Sequence, residues 1–164
     1  MRWVTTLGII SGLVQIIGLL RWVFIVPVLA ADYVQASSSS RQEAIEVSFK
    51  VMHQFGGVLL GEHLGQLFTI VWTVFTSFAL LKIYLIPKWL AWWGFLAAFI
   101  YLLAQAELLA TVMPAIPVIG AAGFIGSTLW LLWIILIGIW FIKAGKKGVN
   151  HFYFSPPVNE EKVL

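Results

Sequence analysis

Arg21, Glu62, His63 and Glu107 lie inside hydrophobic runs of this chain. An ionisable side chain in hydrocarbon is costly unless it faces protein, water or an opposite charge, so such residues mark where a membrane chain acts. His53 and Gln66 accompany them at one end of the second run. Carboxylates accept protons or cations, a guanidinium supplies a fixed positive charge, and an imidazole switches near neutral pH. Arg21 can neutralise only one of Glu62 and Glu107, because two close carboxylates resist joint ionisation. The unbalanced charge calls for a proton on a carboxylate, a protonated His63, a bound metal or a cationic ligand. The competing reading is an Arg and Glu pair that only holds helices in register.

Other chemistries have less support in the spacing. His53, Glu62, His63 and Glu107 are acceptable ligand types for zinc, iron or copper. Adjacent Glu62 and His63 diverge by about 100° on an α-helix, however, and no His-Glu-x-x-His is present. A bis-histidine haem on His53 and His63 would need a dimer, since both lie on one helix. Ser127 and Thr128 lack a nucleophile elbow or a visible triad. Metal and cofactor therefore stay unknown, no residue is assigned a catalytic role, and the balance leans away from an enzyme.

These residues need elements to hold them, and composition says which. Of 164 residues, 61% are hydrophobic and only 10% charged, unlike a soluble domain. A bilayer-spanning helix needs about 20 mainly apolar residues, and four runs qualify, near 5–31, 57–81, 89–112 and 118–142. The runs are continuously apolar rather than alternating, which argues against a barrel. The first run is too long for a secretory core and carries Arg21. With no cysteine there is no disulfide, thiolate metal site or cysteine nucleophile. The fold class is therefore all-α, a polytopic integral membrane four-helix bundle over 1–147, followed by a mobile polar tail at 148–164.

Basic residues set the orientation. With a cytoplasmic amino terminus, Arg2, Lys82, Lys88, Lys143, Lys146, Lys147 and Lys162 fall inside, and only Arg41 and Lys50 outside. Both termini are then cytoplasmic in the cell membrane, and the formal charge of +3 needs no nucleic acid. Trp3, Trp89, Trp92, Trp93 and Trp140 would form an inner aromatic belt. His151, among aromatic residues of the tail, reads as an interfacial anchor.

Ser40 followed by Glu43 has capping-box spacing, and Ile45, Phe49 and Met52 recur opposite Arg41, Glu46 and Lys50. This predicts an amphipathic connector helix along the outer surface, turning into the membrane at Gly56 and Gly57. Pro114 and Pro117 predict the outer turn between the last two spans. Arg21, then His53, Glu62, His63 and Gln66, then Gln105 and Glu107 all come to one outer-leaflet depth. Gly57, Gly61 and Gly65 repeat every four residues, a row that lets another helix approach, and Gly8 and Gly12 repeat the device in the first span. Glu62, Gln66, Thr69 and Thr73 would share an adjoining polar stripe.

Three motifs, LLRWVFIVPVLA at 19–30, HQFGGVLLGEHLGQ at 53–66 and LIPKWLAWWG at 85–94, resemble the bacterial membrane family catalogued as domain of unknown function 4386. The resemblance covers residues 7 to about 136. Members of that family typically have six helices, so this chain resembles their carboxy-terminal four. It implies a helical membrane fold and brings no substrate or reaction. The expected function is binding or movement of a small cationic, protonatable or lipid-like ligand at Arg21, His53, Glu62, His63, Gln66 and Glu107. The alternative is a structural or accessory subunit, with the lipid bilayer, a second copy or another membrane subunit as partner.

Overall fold

In lipid every backbone N–H and C=O must find a partner within the chain, and continuous apolar runs meet that demand as helices. The computed structural model describes residues 2–83 and 86–154, with side chains described for 3–83 and 86–145. The described residues form α1 (Arg2–Phe24), α2 (Val26–Gln35), α3 (Ser39–Met52), a π-helical segment (His53–Leu64), α4 (Gly65–Lys82), α5 (Lys88–Ala110) and α6 (Ala122–Phe154), with no strand among them. Four stretches are long and apolar enough to cross a membrane: Trp3–Gln35, Ser39–Lys82, Lys88–Ala110 and Ala122–Gly145. The all-helical membrane bundle expected from composition is thus the observed fold.

α1 packs on α4 and the π segment, α4 on α5, and α5 on α6. The central core gathers Leu80, Leu90, Ala91, Trp133 and Ile137 near the Lys82 and Lys88 end. Trp133 is fully buried and donates its indole N–H to the Leu90 carbonyl at 2.7 Å. That bond satisfies the polar handle that makes a tryptophan difficult to bury. Trp93 and Trp140, read as belt residues, pack partly against this core, whereas Trp3, Trp89 and Trp92 are exposed. The turn between α5 and α6 contains Pro114 and Pro117, where the sequence puts it.

Two features bend or widen the helices at one end of the bundle. Pro27 has no N–H to give the Val23 carbonyl, and α1 breaks from α2 at Ile25. α2 and α3 then form a helical hairpin, in which Tyr33 donates to Glu46 at 3.2 Å. Ser38 caps α3, accepting from the Arg41 amide at 3.4 Å, so the helix starts just before the Ser40 and Glu43 pair. No turn occurs at Gly56 and Gly57. α3 passes through His53 with helical dihedrals into the π segment and on into α4. A sharp turn there would leave amides unpaired beside lipid, and the wider π bonding pattern lets the chain continue instead.

Arg2 to Arg21, Lys82 to Glu62 and Lys88 to Glu107 are each separated by about 20 residues, roughly the 30 Å of a hydrocarbon core. The polar residues therefore share one level, and the α2–α3 hairpin extends past it. At the far end α6 runs on to Phe154, so the first residues of the segment read as a tail are helical. Residues 155–164 and the His151 side chain lie outside the described residues.

Candidate functional site

Helix spacing explains how α1 meets the second span. Gly8, Ser11, Gln15, Gly18 and Arg21 recur every three or four residues and so share a face. The glycine row of the second span lies against that face in antiparallel order. A methyl on Gly57 would sit 2.5 Å from the Arg21 guanidinium carbon, one on Gly61 would press on Gly18, and one on Gly65 would overlap the Gln15 side chain. The row is a packing surface, as expected, and its partners are Arg21, Gly18 and Gln15. Of the two glycines singled out on α1, Gly8 abuts Trp72, while Gly12 has no neighbour within 4 Å of where a Cβ would stand.

Arg21 is only 7% exposed. Its Nη1 donates to the Gly18 carbonyl at 2.7 Å, and Nη2 lies 3.6 Å from Glu62 Oε1. The guanidinium carbon is 5.2 Å from the Trp22 ring centre, and Nε is buried without a partner. Glu62 is more open, its side chain 42% exposed. His53 stacks on Phe49 and meets Trp22 edge-on, with its Nδ1 buried and unpartnered. Gln66 accepts from Gln105 at 2.6 Å. A cleft of about 320 Å³ opens among Gln15, Leu19, Arg21, Trp22, His53, Gly61, Glu62 and Gln66.

Four of the six residues chosen from sequence, Arg21, His53, Glu62 and Gln66, thus meet in one cleft. The other two share its depth but face elsewhere. His63 lines a separate apolar cavity of about 410 Å³ with Gln54, Phe55, Leu108 and Thr111. Glu107 is exposed on α5, its Oε2 3.8 Å from where a Cβ on Gly123 of α6 would stand. Neighbouring residues on a helix point in different directions, which separates His63 from Glu62. The charge count changes accordingly: Arg21 balances Glu62 inside the cleft, and Glu107 lies outside it. Among the described residues, no three His, Asp or Glu side chains gather as a metal centre.

Below the cleft, the polar stripe expected at Thr69 and Thr73 is one side of a polar ladder, whose other side, Ser11 and Gln15 of α1, sequence reasoning missed. Ser11 donates to the Gly65 carbonyl at 2.9 Å and pairs with Thr69 at 2.6 Å, while Gln15 donates to Ser11 at 2.9 Å and Thr69 at 3.0 Å. Thr73 continues the line, accepting from the Trp130 indole of α6 at 2.9 Å. Beside this ladder runs a groove of about 700 Å³, walled mainly by Ile9, Gly12, Ile16, Trp72, Trp130 and Ile134 of α1, α4 and α6. Gln15 and Leu19 line both the cleft and the groove, so the polar and apolar spaces adjoin.

The family model described as "Domain of unknown function (DUF4386)" matches residues 1–138. The chain belongs to the DUF4386 family. No curated protein and no solved structure matches it. The match covers all of the cleft and groove residues of this DUF4386 chain and ends within α6. It extends a few residues beyond each end of the resemblance at 7 to about 136.

Proposed function

We propose that this DUF4386 protein binds a lipid-like amphiphile, with its polar end in the Arg21 and Glu62 cleft and its apolar part along the α1, α4 and α6 groove. The observation that carries this reading is the adjoining of the two spaces at Gln15 and Leu19. A small cation alone has less support, because Arg21 already offsets Glu62. The positive-inside bias supports an orientation in the cell membrane with both termini cytoplasmic, which puts the cleft at the outer edge of the hydrocarbon.

Gly12 gives a direct test. It lines the groove, and a side chain there meets open space. Gly12→Phe should fill the groove without disturbing the helix contacts. Native mass spectrometry from lipid nanodiscs is expected to show a retained lipid on the parent protein and its loss from Gly12→Phe, with unchanged helicity by circular dichroism. Equal lipid retention by both would remove this reading.

A second reading has its own observation. Arg21 lies over Gly57 and bonds the Gly18 carbonyl, contacts that would fix helix register in a structural or accessory subunit. Under it, no lipid survives release from the nanodisc and Gly12→Phe changes nothing.

A further inference from the structure

The donors and acceptors in the cleft can be counted against what they have. A guanidinium carries five N–H groups. In Arg21 one is bonded to the Gly18 carbonyl, Nε is buried and unpartnered, and the contact to Glu62 at 3.6 Å exceeds the roughly 2.7–2.9 Å of a charge-assisted hydrogen bond. A buried charge held this loosely is costly until an acceptor arrives, because its desolvation is not repaid. Glu62, by contrast, is an acceptor that opens into the same cleft. Gln66 uses its carbonyl on Gln105, which leaves its amide nitrogen unpaired beside them.

Charge then selects among polar groups. A purely anionic ligand would satisfy Arg21 but face the Glu62 carboxylate, and a purely cationic one would satisfy Glu62 but face Arg21. A group with both signs meets both. We infer that the cleft takes a zwitterionic phospholipid headgroup, its phosphate on Arg21 and Gln66 and its ammonium on Glu62. The inference rests on the lipid-like reading above. It favours a primary ammonium over a quaternary one, since N–H groups can donate to Glu62. The tryptophan that lines the cleft, Trp22, already has the Arg21 cation beside it at 5.2 Å from its ring centre. A quaternary head depends on such faces. The groove beyond Gln15 and Leu19 makes a lipid, rather than its free headgroup, the occupant.

The experiment compares lipids of one chain composition, bearing phosphoethanolamine, phosphocholine, phosphoglycerol or no headgroup, added to the full chain in detergent. Binding is read by native mass spectrometry and by thermal unfolding. The phosphoethanolamine lipid is expected to bind at least about tenfold tighter than the phosphoglycerol lipid and diacylglycerol, and to raise Tm most. Glu62→Gln keeps the side-chain shape, and should reverse the preference toward the phosphoglycerol lipid. Equal binding of all four would overturn the headgroup inference while leaving the groove reading intact. No binding of any would overturn both. Competition by water-soluble glycerophosphoethanolamine as strong as that of the lipid would show a soluble ligand and overturn the choice of lipid.

Discussion

Gly12 and Gly18 share a residue type and a helix, yet a methyl group would meet open space at the first and, at the second, the Gly61 backbone, with the Gly56 carbonyl 2.8 Å away. Backbone cannot yield as a flexible side chain can, so Gly18→Ala must push α1 away from the π segment. We expect it to destabilise by about 1–3 kcal/mol, the usual cost of overpacking. Gly12→Ala should instead stabilise by up to about 1 kcal/mol through helix propensity. Thermal or detergent unfolding of the two variants checks the opposite signs, and a shared sign would contradict the close approach of Gly18 to Gly61. Depth could be read from position along each span, and so Arg21, His53, Glu62 and Gln66 were found together. Direction could not be read as well, because Glu107 turns to α6 and His63 to another cavity only once the neighbours are known. The stripe of Gly8, Ser11, Gln15, Gly18 and Arg21 was visible as spacing, but weak polar residues in an apolar run carry less signal than charges.

Among the elements, the π segment from His53 to Leu64 departs furthest from the α-helix that the sequence suggested. Its bonds skip one residue more, and such geometry is found mostly in short pieces near functional sites. Here it widens the second span beside Arg21 and Glu62, and the Pro27 break opens the first span one turn beyond Arg21. No hydrophobic pattern distinguishes π from α over the 12 residues of this segment, and the Gly56 and Gly57 pair has the composition of a turn until its packing on α1 is known. The helices themselves were legible, because runs of about 20 apolar residues have few other solutions in a membrane. Poorer bonding should make the π segment open more readily than the helix it feeds. Hydrogen exchange in nanodiscs is expected to be faster for amides of His53–Leu64 than for those of Gly65–Lys82, and a bound lipid should slow the first set. Equal exchange in the two segments would mean that the π bonds are as secure as the α bonds.

For the whole molecule, the decisive relation is between the basic level marked by Arg2, Lys82, Lys88 and Lys143 and the polar level marked by Arg21, Glu62 and Glu107. About 20 residues of helix separate them, which matches one hydrocarbon thickness. A slab placed there leaves the α2–α3 hairpin in the headgroup layer or above it, and turns the groove beside α1 toward the lipid. The proposed orientation of the slab rests on the lysines and arginines, which crowd the level opposite the cleft. On the proposed orientation lipid would enter from the outer leaflet, because the cleft proposed for its polar end would open at that surface. The chain has no cysteine, so single cysteines report topology without background. Ser38→Cys, at the hairpin turn, should react with a membrane-impermeant maleimide on intact cells. Gly145→Cys, beyond Lys143 on α6, should react only after the membrane is opened. The reverse pattern would place the cleft at the inner leaflet, where the same head-and-tail geometry would select from a different lipid pool.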